Sequence, residues 1–286
     1  MFDVPEAGRY RLQRVPLVQA LGQVTFPLLA RFQTLDGIAA LQERLTDMLP
    51  YMERQQVGQM TFAFNPDGTF VPGAQESSVV WKFTDDSGWT LAITPGSAIL
   101  AVGTAYRGID DFGQRFSAVL DALATMDGPA RVQRCNLLQV RYIDVIESPP
   151  HDPRAWARWI RHDLTGWAGD GIMGEGTTLL SQFVQTQLTA PLSSPSGEHL
   201  AVALIRHGLL PQGSVIPGVP PIPFFNVTLG QVAYTIDMDV SIQQPQLFIS
   251  ANLTAQFRAL HTQIDRFFHW ALTDEGADHF GLEVLS

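Results

Sequence analysis

The chain has 286 residues, 45% of them hydrophobic and only 16% charged, which is enough apolar material for a large packed core and excludes a disordered or fibrous chain. With 28 acidic against 18 basic side chains the formal charge is −10, so a polyanion such as nucleic acid is a poor partner. The start, MFDVPEAGRYRLQRVP, has no apolar signal core, and no later window is long and apolar enough to cross a membrane, so neither secretion nor a membrane span is expected.

After a polar arm over residues 1–14, Val15 to Phe26 reads as a first strand in which Val18, Val24 and Phe26 supply bulk, with Pro16 confined to its start or to an edge. Ile38, Leu41, Leu45, Leu49 and Met52 recur at the helical period and predict a helix from Leu35 to Arg54, capped by Thr34 or Asp36 and kinked or ended by Pro50. Short strands are predicted at Met60–Phe64, Ser78–Thr84, Trp89–Thr94 and Ala98–Tyr106. Turn residues at Asn65-Pro66-Asp67-Gly68, Asp85-Asp86-Ser87-Gly88 and Pro95-Gly96 separate them, as in an antiparallel meander. Asp110 or Asp111 then caps a second helix through Phe112, Phe116, Val119 or Leu120, Leu123 and Met126, which Gly128-Pro129 stops.

Arg131 to Glu147 reads as one long central strand closed by Ser148-Pro149-Pro150. Asp152-Pro153 opens a helix marked by Trp156, Trp159, Ile160 and Leu164. Strands follow at Leu179–Leu188, His199–His207 and Val232–Ile242, and a last helix runs from Asn252 to Thr273. The order strand, helix, meander, helix thus occurs twice, in residues 15–130 and 131–286, with the central strand finishing one half and starting the other. The expected fold class is α+β, an antiparallel sheet backed by long helices in two pseudo-repeated halves.

Four of these pieces occur together in a recognisable order: Pro16-Leu17-Val18-Gln19-Ala20-Leu21, Tyr106 with Phe112, Leu138-Gln139-Val140-Arg141-Tyr142-Ile143, and Leu260-His261 through Phe268 to Leu272-Thr273-Asp274-Glu275. In this the chain resembles a sporadically distributed family of uncharacterised bacterial proteins of roughly this length. It departs from that pattern at Gln19, where an acidic residue is favoured, and in the spacing of Leu138, Arg141 and Tyr142. The resemblance implies no activity and lends no catalytic residue.

Several groups invite a functional reading beside a plainer one. Arg141 shares strand parity with Leu137, Ile143 and Val145, while Tyr142 and Asp144 project from the other face. If the first face is core, Arg141 is a buried cation that requires a carboxylate, and a structural ion pair is favoured over ligand binding. Asp237 and Asp239 lie on one face of a strand and could share a divalent cation, although the solvent side of a half-buried strand explains them more simply. His261, Asp265 and His269 form a stripe at i, i+4 and i+8 that could bind zinc or relay a proton; polar residues bordering a helix core are the plainer account. Arg154, Arg158 and Arg161 interleave with Trp156, Trp159 and Trp167, best read as a solvated Arg face behind a buried Trp face.

The stretch GLLPQGSVIPGVPPIPFF, residues 208–225, is too rich in proline for regular structure and too apolar for a free linker. Its Val215, Ile216, Val219, Ile222, Phe224 and Phe225 must be covered, by the chain itself or by a partner. The glycine-rich GWAGDGIMGEGTT, residues 166–178, lacks the ending of a phosphate-binding loop, and no nucleophile elbow, zinc or kinase signature is present. Neither a cofactor nor a metal is therefore expected. The lone cysteine, Cys135, suggests a reducing compartment, the cytoplasm.

The leading expectation is a non-enzymatic binding protein or accessory subunit, antitoxin-like or immunity-like. Its partner would be another protein or a second copy, with the proline-rich segment as the contact, whereas Arg141 with Tyr142, or His261 with Asp265 and His269, would serve a ligand pocket in the alternative reading. The alternatives are an enzyme or small-molecule receptor with a pocket between sheet and helices, and a homo-oligomer joined through sheet edges.

Overall fold

The computed structural model describes residues 10–64, 70–126, 131–147, 156–166, 179–195, 197–218 and 222–284. In chain order the elements are β1 (Tyr10–Leu12), β2 (Leu17–Thr25), α1 (Leu35–Leu45), β3 (Tyr51–Phe64), β4 (Phe70–Thr84), β5 (Trp89–Thr94), β6 (Ser97–Val102) and α2 (Ile109–Ala124). The second half runs β7 (Arg134–Cys135), β8 (Leu137–Glu147), α3 (Trp156–Trp159), α4 (His162–Thr165), β9 (Gln182–Ser194), β10 (Gly197–Leu210), β11 (Val215–Ile216), β12 (Val227–Thr228) and β13 (Ala233–Ile242). It closes with β14 (Gln246–Leu247), α5 (Ser250–Ala271), α6 (Asp274–Phe280) and β15 (Leu282–Val284).

Nine strands form one antiparallel sheet in the order β3-β4-β5-β6-β2-β8-β13-β10-β9, which makes the protein α+β as its patterning predicts. Both halves contribute to this single sheet, and their first strands, β2 and β8, meet at its centre with Gly22 opposite Val140. In each half the meander returns so that its last strand, β6 or β13, pairs with the first. A long helix, α2 or α5, then crosses the same face. The two helices meet through stacked Phe116 and Phe257, with ring centroids 4.5 Å apart. Gly22 lies directly beneath; a Cβ there would fall 2.8 Å from the Phe257 ring, so the seam needs a residue without one.

The main core lies between this helix layer and the strand residues that alternate toward it, among them Ala20, Val24, Leu138, Val140, Ile236, Met238 and Val240. A thinner core covers the opposite face, where residues 211–218 and 222–226 fold back across both halves. Ile222 and Phe225 pack on Leu21, Val80, Ala92, Ile99 and Ala101, and Ile216 packs on Ile143, Leu229 and Ala233. No described helix is long and apolar enough to cross a membrane.

Several boundaries differ from the sequence-based expectation. The first helix stops at Leu45, and Tyr51 and Met52 open β3, because Pro50 offers no N–H and pushes Leu49 out of helical geometry. β3, β4, β9 and β10 are longer than their apolar patterns suggest, since neighbouring strands supply the hydrogen bonds that propensity does not. The stretch from Arg131 divides: β7 pairs with β14, and only β8 enters the main sheet. Trp156 and Trp159 are buried, as expected, but on a single turn, α3. The Asn65–Gly68 turn, Gly128-Pro129, Asp152-Pro153, Arg154 and Trp167 lie wholly or mainly outside the described residues, as do residues 167–178 of the glycine-rich stretch.

Candidate functional site

β8 alternates between two faces, and each carries a polar cluster. Toward the 211–226 segment, Arg141 is buried and its fork is filled. Its Nε and Nη2 donate to the two carboxylate oxygens of Asp237 at 2.7 and 2.8 Å, and Nη1 and Nη2 donate to the carbonyls of Gly218 and Pro217 at 2.5 and 2.8 Å. Arg206, opposite Asp237 in the β10–β13 register, adds a second cation, with its Nε 3.0 Å from the same carboxylate. That N–H is not aimed at the oxygen and has no other acceptor among the described residues; the hydrogen bond to Asp237 comes instead from Arg206 Nη2, 3.5 Å from Oδ1. Asp239 accepts from Gln139 at 2.7 Å and lies 3.8 Å from Arg206; burial pushes its carboxyl up to about 6, against the pull of Arg141 and Arg206. The Asp237–Asp239 face is therefore buried and ion-paired, where patterning favoured a solvated one. The local alternation contains no sign of the segment that returns to cover it. The arrangement ties that segment to the sheet by its backbone.

On the helix side, three groups are joined in series by hydrogen bonds and a fourth lies beside them. The Tyr142 and Tyr106 hydroxyls are 2.6 Å apart, Tyr106 lies 3.4 Å from His261 Nε2, and His261 Nδ1 lies 3.3 Å from Asp265 Oδ2. With the neutral imidazole carrying its proton on Nδ1, on the side of Asp265, Nε2 accepts from Tyr106, which accepts from Tyr142; burial raises the Asp265 carboxyl to about 7. Burial lowers His261 to about 3, with Arg258 adding to the effect, so the imidazole is neutral. Burial likewise raises both phenols, and they stay protonated.

Asp144 points to the same side. It is 6% exposed and makes no hydrogen bond among the described residues; burial first, then the charges of Asp265 and Asp237, raise it to about 8. The stripe on α5 thus contributes His261 and Asp265 to one network, and His269 is partly exposed a turn further on. Among the described residues no group of three or more His, Cys, Asp or Glu side chains is placed to hold a metal ion.

The described part of the proline-rich segment is mostly turned inward. Ile216, Ile222 and Phe225 are buried, Phe224 packs on Phe225 beneath the Lys82 ammonium, and Val215 is exposed; Val219 lies outside the described residues. Gly218 N donates to Asn226 Oδ1 at 2.9 Å, closing the segment on itself.

Uncovered apolar side chains lie elsewhere, on β9. This strand forms one edge of the sheet, and among the described residues only β10 pairs with it. Phe183 is 55% exposed, Val184 36% and Leu188 38%, and Leu180 just before them is also exposed. Sequence patterning missed this group, because edge position is a property of strand order. The available signal was the absence of any charged residue from Gly176 to Gly197. No family model matches the chain, and no curated protein matches it either.

Proposed function

We propose that the protein works by binding another polypeptide, as an accessory or antitoxin-like subunit of the cytoplasm, with β9 as the contact strand. One observation carries this reading: β9 is a 13-residue edge strand with no charged side chain and with Phe183, Val184 and Leu188 open to solvent. Edges of this kind are ordinarily protected by charge, by a bulge or by a covering element, and they pair readily with an added strand. The polar clusters support it indirectly, since Arg141 and Asp237 spend their hydrogen bonds on each other and on the covering segment.

An enzymatic reading has less support. In the Tyr106–His261–Asp265 chain the phenols are held protonated and the imidazole neutral, with no group poised as a nucleophile. Replacing Val184 and Leu188 together by lysine tests the binding proposal. The expected result is loss of the native assembly, read by native mass spectrometry of protein from its own host, with an unchanged melting temperature. An assembly that survives the double substitution overturns it.

A further inference from the structure

We propose that the occupant of the β9 edge is β9 of a second copy, paired antiparallel about a two-fold axis at Thr186. This rests on the reading of β9 as a contact strand and names its partner.

The direction of the free hydrogen-bonding groups follows from the β9–β10 ladder. Leu200, opposite Pro191, sends its N–H toward Gln244 Oε1 on the β13 side, and Gly208 O on the same parity accepts from Thr235 Oγ1 of β13. Pro191 is therefore in a pair that exchanges no hydrogen bonds with β10, as its missing N–H requires. Residues of its parity, Phe183, Gln185, Gln187 and Thr189, send their N–H and C=O groups to the open edge, and the donor row stops at Pro191.

An isologous antiparallel pair must match the strand against its own reverse. About Thr186, the sequence Val184-Gln185-Thr186-Gln187-Leu188 is chemically palindromic. Gln185 meets Gln187 of the second copy, Phe183 meets Thr189, and all four outward residues exchange hydrogen bonds without reaching Pro191. On the helix face Val184 meets Leu188 twice, in the closer non-hydrogen-bonded positions, and Thr186 meets itself. Moving the axis to Gln187 places Phe183 against the donor-less Pro191 and Leu188 against Thr186. Moving it to Gln185 places Val184 against Thr186 and Leu188 against Gln182. Of these three registers, only the one about Thr186 pairs Val184 with Leu188 and keeps all four outward donors paired; an axis at Leu188 would also pair apolar residues but sets Gln185 against the donor-less Pro191. The strand carries no charge, so the net charge of −10 on each copy is kept off the contact itself.

Cysteine substitution reads this register directly. Thr186→Cys brings two thiols together at about 4.5 Å between Cα atoms, within disulfide reach. Thr189→Cys faces Phe183 of the other copy and has no thiol opposite. The native Cys135 is buried, with its thiol pushed up to about 12, and does not compete. The expected result is a parent chain of twice the monomer mass by sedimentation, rapid disulfide dimer with Thr186→Cys, none with Thr189→Cys, and a monomer with Val184→Lys and Leu188→Lys together. A disulfide that forms as fast at position 189 overturns the register. A monomeric parent with no disulfide at position 186 overturns self-pairing. The broader binding reading then stands if the lysine pair abolishes the assembly isolated from the host, and falls with it if that assembly persists.

Discussion

The two faces of β8 hold buried ionisable groups three residues apart and treat them in opposite ways. Arg141 finds a carboxylate and two carbonyls, and its charge is matched within bonding distance. Among the described residues Asp144 finds neither a cation nor a hydrogen-bond donor, and it is held as the protonated acid to about pH 8. Burial alone therefore says little about a charged residue; the partner decides whether it fastens the structure or makes it sensitive to pH.

The largest effect is expected on the matched face. Arg141→Ala leaves Asp237 short of a partner and frees the carbonyls of Pro217 and Gly218, at a cost of about 3–5 kcal/mol in denaturant unfolding. Exposure of Ile222 and Phe225 should accompany it, seen as binding of an apolar dye to the folded variant. A loss below about 1 kcal/mol, with no dye binding, would show that the segment holds without its clamp.

On the unmatched face the effect appears with pH. A carboxyl raised from 3.8 to about 8 keeps a proton that the unfolded chain releases, so stability falls as pH rises between those values. His261, lowered from 6.5 to about 3, works the other way and removes stability only as pH falls below 6.5. From pH 6.5 to 8 the Asp144 slope is no longer offset, and about 2 kcal/mol should be lost across that window, with Asp265, raised to about 7, adding to its lower end. Asp144→Asn should flatten it and leave the variant the more stable form at pH 8; equal slopes in thermal melts at both ends of the window would contradict the assignment.

A smaller change tests the chain beside it. Tyr106→Phe leaves Tyr142 without its hydroxyl partner and should cost about 1–2 kcal/mol, while adding Tyr142→Phe should cost little more, because each hydroxyl depends on the other. Smallest of all, the paired lysine substitutions at Val184 and Leu188 should change monomer stability by about 0.5 kcal/mol or less, which separates the edge from both faces of β8.

Much of this contrast was legible in strand parity. The alternation of β8 places Arg141 and Tyr142 on opposite sides, and the cost of an unpaired buried cation demands a carboxylate. Which carboxylate was not legible, because Asp237 becomes a neighbour only through the pairing of β8 with β13. The helical spacing of His261 and Asp265 likewise predicts their contact, while Tyr106 and Tyr142 reach them from a loop and a strand far away in sequence. The strongest local pattern misled at α1, where the apolar period continues through Met52 but Pro50 ends the helix. The exposure of β9 depends on the order of all nine strands, which no window of sequence contains.

The central seam has a consequence for how the chain matures during synthesis. β2 through α2 leave the ribosome before β8, so the first half waits with one side of β2 unpaired and with Phe116 lacking the Phe257 ring that later covers it. Its closure depends on contacts of long sequence separation, which makes the final step slow. The nascent first half therefore presents an open strand edge to any chaperone, or to any neighbouring nascent chain, until the second half arrives.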